Sequence, residues 1–265
     1  MLKGAIHIHS TYSDGEYTLA QLRSVLLGLN CRFACMTDHA EWFDQEKLKK
    51  YVAECAALSD DQFQFIAGLE YECERRMHIL GFGVTSLVQT ENPQEVITHI
   101  ERAGGVSVIA HPMDSMFSWI ESFDVLPLGI ETWNSKYDGQ HAPRPGTFRL
   151  LTRLQERRPD MRAFYGQDLH WKRQPRVLFM SVDAESPARA EVLAALKYGA
   201  YAGSKDEYQL PSDGLLPEPL LEEFGVASAR HFRQQRLFKR VKKLSGRFGK
   251  KLPAPIKSRI RRIFS

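Results

Sequence analysis

The chain of 265 residues is 43% hydrophobic and 26% charged, a balance that excludes a disordered or fibrous protein. No apolar run reaches the roughly 18 residues that a membrane-spanning helix needs, and residues 1–10 lack the apolar core of a secretory signal. The net charge of +4 conceals an asymmetry: residues 230–265 carry 14 Lys or Arg and no carboxylate, leaving 22 basic against 32 acidic groups before them. An acidic body argues against a whole-surface nucleic-acid binder, and a basic tail points to an anionic partner for that segment alone. Cys31, Cys35, Cys55 and Cys73 are too sparse for a disulfide scaffold and lack zinc-finger spacing, so they read as reduced thiols of a cytoplasmic protein.

In chain order, residues 5–9 predict a first strand, followed by the loop 10–15 and a helix from Thr18, whose hydroxyl can cap it, to Leu29. Residues 32–37 predict a second strand running into Asp38-His39, 45–58 a polar helix, and 63–69 a third strand with Glu70 at its end. A short strand at 78–82, a helix at 93–103 and a strand at 106–110 lead to His111-Pro112. Next come a strand at 129–133, a helix at 147–156 and a strand at 163–166 that runs into Gln167-Asp168-Leu169-His170. A strand at 177–182 and a helix at 188–198 complete the pattern. Such alternation predicts parallel strands with right-handed crossovers, in a doubly wound sheet or a barrel. Polar residues at the strands' C-terminal ends favour the barrel, whose active sites are assembled there.

The candidates for chemistry are His7, His9, Asp14, Asp38, His39, Glu70, His78, His111, Asp168 and His170. Residues two apart on a strand face the same side, so His7 and His9 can address one centre, as can Asp168 and His170. Six of the nine histidines fall at strand ends together with three carboxylates, a ligand mix that suits zinc, manganese or iron. His99, in a helix, and His231, in the tail, read as structural or solvent-exposed, and His141 lies in a loop that can face the site.

The segments His7-Ile8-His9-Ser10-Thr11-Tyr12-Ser13-Asp14-Gly15, Thr37-Asp38-His39, Gly68-Leu69-Glu70, Ala110-His111-Pro112 and Asp168-Leu169-His170 resemble the successive motifs of the PHP (polymerase and histidinol phosphatase) family. The resemblance spans residues 1–205. It implies an α/β fold, a distorted (β/α)7 TIM-like barrel, placed over residues 1–215; the charge and stripe pattern beyond it predicts a basic helical tail at 216–265. It also implies a phosphoesterase with three divalent metal ions (Mn, Fe or Zn). One ion is then held by His7, His9, Glu70 and Asp168, a second by Glu70, His78 and His111, and a third by Asp14, His39 and His170. His78 is placed from Met77-His78-Ile79-Leu80-Gly81. The interval from His78 to His111 is too short to hold an inserted domain.

Two ions about 3.5 to 4 Å apart can share a water, bring its pKa near 7 and present hydroxide to a phosphorus atom. Asp168 is the candidate to take the proton of that hydroxide. Arg144 and Arg173 are candidates to bind the phosphate, because guanidinium matches its geometry, and Lys136 is a further one.

The tail predicts a helix from Leu220 to Leu244 with Leu237, Phe238, Val241, Leu244 and Phe248 on one stripe. After Pro253 and Pro255, Ile256, Ile260, Ile263 and Phe264 form a second stripe. Three readings stand open: attachment to an anionic membrane surface at its inner face, a nucleic-acid clamp, or packing back on the barrel. The functional expectation is hydrolysis of a phosphorylated small molecule. The alternatives are a nuclease or phosphodiesterase, and a membrane-attached regulatory protein whose metal site is structural.

Overall fold

The structure, a computed structural model, describes residues 1–247, of which 238–247 are described by backbone course alone. Its elements are β1 (Leu2–Ile8), α1 (Leu19–Gly28), β2 (Phe33–Met36), β3 (Asp38–His39), α2 (Gln45–Ala57), β4 (Gln64–Ile66), β5 (Leu69–Cys73) and β6 (Met77–Phe82). There follow α3 (Pro93–Arg102), β7 (Val106–Ile109), α4 (Phe117–Glu121), β8 (Gly129–Asn134), α5 (Pro145–Gln155) and β9 (Arg162–Gly166). The last are β10 (Phe179–Val182), α6 (Arg189–Tyr198), β11 (Tyr201–Lys205), β12 (Tyr208–Pro211) and α7 (Glu218–Arg247). Thr18 caps α1 in a reciprocal box with Gln21, satisfying two of the amide groups a helix start leaves unpaired.

The expected closed barrel of parallel strands is not formed. The strands make two open six-stranded sheets, ordered β12-β11-β10-β1-β2-β4 and β3-β5-β6-β7-β8-β9. Two strands read as continuous in the sequence are each broken, β2 from β3 at Thr37 and β4 from β5 at Ala67-Gly68, so that both cross from one sheet to the other. On the far side the sheets meet through hydrogen bonds from Gln167 N to Ile6 O (3.1 Å), Leu169 N to His7 O (3.1 Å) and His9 N to Leu169 O (3.0 Å).

β6 runs antiparallel to both its neighbours, and β10 antiparallel to β1. Part of the reason lies in the connections. Only residues 74–76 separate β5 from β6, whereas a parallel pair needs a crossover of a dozen or more residues. β11 and β12, which the sequence reading leaves out, form a hairpin of the same antiparallel kind.

One continuous apolar core fills the space between the sheets and their helices, with Phe33, Phe82, Trp133, Phe164 and Tyr165 among its largest members. The first turns of α7 pack back on this body. Leu221 and Phe224 are buried, the Phe224 ring lies 5.3 Å from Tyr208 and 6.2 Å from Trp133, and Gly139, at φ +90°, leaves room for the His231 ring. Leu237 is exposed. The remaining stripe residues, Phe238, Val241, Leu244 and Phe248, and the second stripe beyond Pro253 lie outside what is described of side chains. Among the described residues, no helix is long and apolar enough to cross a membrane.

Gly68 sits where the chain changes sheets, and a Cβ there would come within 2.5 Å of Gly81 O and 2.8 Å of Met36 O. Backbone oxygens cannot turn aside as a side chain can. Gly68→Ala is therefore expected to destabilise the protein by about 1 to 3 kcal/mol, read as a lower denaturant midpoint at unchanged m-value.

Candidate metal centre

The centre begins with an irregularity in β1. Ile6 pairs with Cys35 and Ile8 with Met36, leaving His7 as an extra residue at the step with φ 59°. Such bulges re-aim side chains. Here the His7 and His9 rings both lie buried, their centroids 5.3 Å apart. His111 (φ 29°) and Asp168 (φ 50°) also take left-handed backbone, which costs a non-glycine residue of order 1 kcal/mol or more and persists only where the surroundings enforce it.

All nine proposed ligand residues come together. Glu70 Oε2 stands 3.1 Å from His9 Nε2, 3.3 Å from His7 Nε2 and 3.6 Å from His39 Nδ1. Glu70 Oε1 stands 2.7 Å from His78 Nδ1 and 3.5 Å from His111 Nε2. Asp168 Oδ1 is 3.7 Å from both His7 Nε2 and His9 Nε2 and 3.1 Å from His170 Nδ1. Asp14 closes the third corner, 3.2 Å from His170 Nε2, 3.5 Å from His9 Nδ1 and 3.7 Å from His39 Nε2.

Four overlapping groups have donor atoms close enough to share an ion: His9, Asp14, His39 and His170; His7, His9 and Asp168; His7, Glu70 and His111; and His39, Glu70 and His78. His9 and His39 thus each belong to more than one group, a finer sharing than the three sets implied by the resemblance.

Charges and orphaned atoms both fit metal ions. Both ring nitrogens of His9 and Nδ1 of His39 are buried without a well-directed hydrogen bond, although carboxylates lie close to each, a state that costs about 1 to 3 kcal/mol per group unless something else satisfies it. Burial, with the positive charge of His170 and His7 behind it, holds His9 down at about 3 against the pull of Glu70, so its imidazole stays neutral with a lone pair to give. Burial opposes ionisation of Glu70 and Asp168 as well, yet the neighbouring histidines outweigh it and keep both carboxyls well below their ordinary range. Neutral imidazole and ionised carboxylate are the metal-ligating forms.

Three supporting residues were not legible as such. Glu131, on β8 and buried, accepts from His7 Nδ1 at 2.7 Å and from the His111 amide and Asn134 Nδ2 at 2.9 Å each. It fixes the ring of His7 as outer partners of ligating histidines do. Its one sequence signal is a carboxylate set between Ile130 and Thr132-Trp133 inside a predicted strand. Asn134 also reaches Asp168 Oδ2 at 3.3 Å. Asp38, grouped with the chemistry in the sequence, instead accepts from the amides and hydroxyls of Ser10 and Ser13 at 2.7 to 3.0 Å. It clamps the loop that carries Asp14.

The cationic candidates separate. Arg144 is buried and engaged by Asp138 (2.5 Å), Asp114 (2.7 Å) and Pro112 O (2.9 Å). Three of its five N–H donors are engaged in loop architecture, so it is a braced residue and not a free one. Arg173 is exposed. Lys136 is the cation brought to the centre, with Nζ 3.0 Å from Asp168 Oδ1 and 3.3 Å from each ring nitrogen of His170. His99 bonds Ser86 Oγ at 2.7 Å and His141 is exposed. The four cysteines are free and buried, and burial raises their thiol pKa values, Cys31 to about 11.

A scan against protein-family models finds no match. A crystal structure from Bacteroides vulgatus, of a two-domain protein containing a predicted PHP-like metal-dependent phosphoesterase, superposes with a TM-score of 0.58 at 15% identity, over 84% of this chain and 68% of the other. The chain has the PHP-like fold. PsfC from Pseudomonas syringae superposes with a TM-score of 0.53 at 14% identity, over 88% of this chain and 98% of that one. The DNA polymerase/3'-5' exonuclease PolX of Bacillus subtilis is 27% identical over 79 residues, and the match spans 14% of its length. Within the PHP-like fold, the ends of β1, β3 and β9 together with β5 and β6 supply most of the cluster described above.

Removing the charge behind His7 tests the supporting layer. Glu131→Gln is expected to weaken metal binding about 10- to 100-fold, measured by calorimetric titration of the chelated protein. His170 supplies a pH signature: burial lowers its pKa, but hydrogen bonds with Asp14 and Asp168 outweigh this and raise it from 6.5 to about 9. In metal-free protein that pairing contributes stability in full below pH 6.5 and loses it as pH rises through about 9. Metal must displace the proton, so affinity for Mn²⁺ is expected to increase between pH 6.5 and 9, with proton release seen as a buffer-dependent heat.

Proposed function

We propose that this protein is a metal-dependent phosphoesterase that hydrolyses phosphorylated small molecules. The observation that carries the reading is the convergence of nine histidine and carboxylate donors on one buried volume, His9 having both ring nitrogens without a well-directed hydrogen bond. Three divalent ions (Mn, Fe or Zn) fit the donor set: His7, His9, Glu70 and Asp168 for one, Glu70, His78 and His111 for a second, Asp14, His39 and His170 for a third. Ions so held supply Lewis acidity, easing deprotonation of water near neutral pH and offsetting charge on phosphoryl oxygens.

The chain's own residues do the rest. Glu131 and Asn134 orient His7 and Asp168 before substrate arrives, so little reorganisation is left for the reaction itself. Asp168, kept ionised by His7, His170 and Lys136 against its burial, is assigned the proton of the attacking hydroxide. No serine or cysteine nucleophile enters this scheme.

A second reading, hydrolysis of phosphodiesters in nucleic acid, draws on the PolX match, with the basic residues 230–265 holding the polynucleotide. The two readings diverge on simple substrates. With Mn²⁺ present, an aryl phosphate monoester is expected to be hydrolysed faster than the matching diester, and a faster diester rate would move the assignment to the second reading. Asp168→Asn is expected to reduce kcat by about 10² or more, and activity that survives both this change and chelation overturns the metal-dependent reading.

A further inference from the structure

Lys136 presents a physical problem that the phosphoesterase reading leaves open. Its ammonium lies within 3.3 Å of Asp168 Oδ1 and of both His170 ring nitrogens, donors that are also placed to hold divalent ions. Two kinds of cation thus converge on one carboxylate. Like charges a few ångströms apart in a partly buried site repel strongly.

The loop backbone that carries Lys136 is braced by its surroundings. Asn134 Oδ1 accepts from the amides of Lys136 and Tyr137 at 3.1 Å each, and Asp138 receives the Asn134 amide at 2.9 Å. Asp138 is in turn bonded by Arg144, which stiffens the loop bearing Lys136. At the outer side, the rings of Tyr137 and Trp171 each stand 5.4 Å from Nζ. The Lys136 side chain is 22% exposed, so a solute can reach it.

An anion that touches both would reconcile an ammonium on this braced loop with metal ions beside it. Such an anion needs several oxygens to bridge ligands spaced in this way, which a phosphoryl group has and a halide lacks. We propose that Lys136 is the phosphoryl-binding cation of this site, and that it makes metal binding and phosphate binding cooperative. The inference rests on the phosphoesterase reading, and it assigns substrate capture to a lysine rather than to Arg144 or Arg173.

Calorimetric titration of the chelated full-length protein with Mn²⁺, in the absence and presence of inorganic phosphate, tests the coupling without any turnover. In wild type, phosphate is expected to tighten Mn²⁺ binding about tenfold or more, within the usual range for coupled sites. In Lys136→Met, Mn²⁺ should bind more tightly than in wild type when phosphate is absent, because a competing cation is gone, and the phosphate effect should shrink to about threefold or less. Lys136→Arg should retain most of the coupling. Lys136→Gln, equally uncharged and more soluble, serves if the methionine variant melts early. Coupling of wild-type size in the uncharged variants overturns the proposal, as does its absence from wild type. Parallel aryl phosphate assays separate the two claims. Coupling without hydrolysis by wild type overturns the phosphoesterase reading alone, whereas hydrolysis with uncharged variants at wild-type kcat/KM and undiminished coupling overturns the role of Lys136 alone.

Discussion

One buried carboxylate sets the terms for this molecule. Glu70 has five imidazoles within 3.6 Å, more nitrogen than two oxygens can satisfy by hydrogen bonding. Burying a charge is expensive unless opposite charge compensates it, and the histidines provide that compensation at the cost of crowding one another. The sheet makes the crowding possible. Glu70 on β5 pairs with Leu80 on β6, while His78 pairs with Glu72, so the Glu70–His78 contact is diagonal, a spacing that long side chains reach across a pleated sheet. The surplus of donors then converges on a volume where divalent ions are the natural occupants.

The backbone bears part of this arrangement. His7, His111 and Asp168 all have positive φ, and each is fixed from outside its own strand. His7 is gripped by Glu131 and by the hydrogen bond from Leu169 N, and the His111 amide is taken up by the other oxygen of Glu131. Gly166 belongs to the same design, since a side chain there would run into Glu131. The centre is over-determined by its scaffold, as strained functional backbone generally is.

Part of this could be read from residues alone. The H-x-H and D-x-H pairs and the gathering of histidines and carboxylates at strand ends were legible because ligation demands particular residue types there, whatever the exact sheet geometry, whereas the set of nine donors was implied by the family resemblance. The sheet geometry itself was less legible. Alternating strands and helices predicted parallel pairing, but the three-residue link between β5 and β6 forces a hairpin, and the breaks at Thr37 and Gly68 fall within runs that look like single strands. The engagement of Arg144 was not legible because its sequence context does not show Asp114 and Asp138 closing on it. Glu131 and Asn134 were missed because their work is done by hydrogen bonds across strands, which leave no local pattern.

The position of β1 has a consequence for how the chain folds. The strand that bears His7 pairs on one side with the nearby β2, but on the other with β10, and its end is tied to Leu169, so its partners on that second side come from much later in the chain. Contacts of such long sequence separation are slow to form because a large loop must close before any of them is gained. On the ribosome, the first half of the metal centre must wait for the segment through Val182 before it can be buried. Until then the β10-facing edge of β1 is unpaired, so the side of the site that His7 and His9 build is completed late in folding.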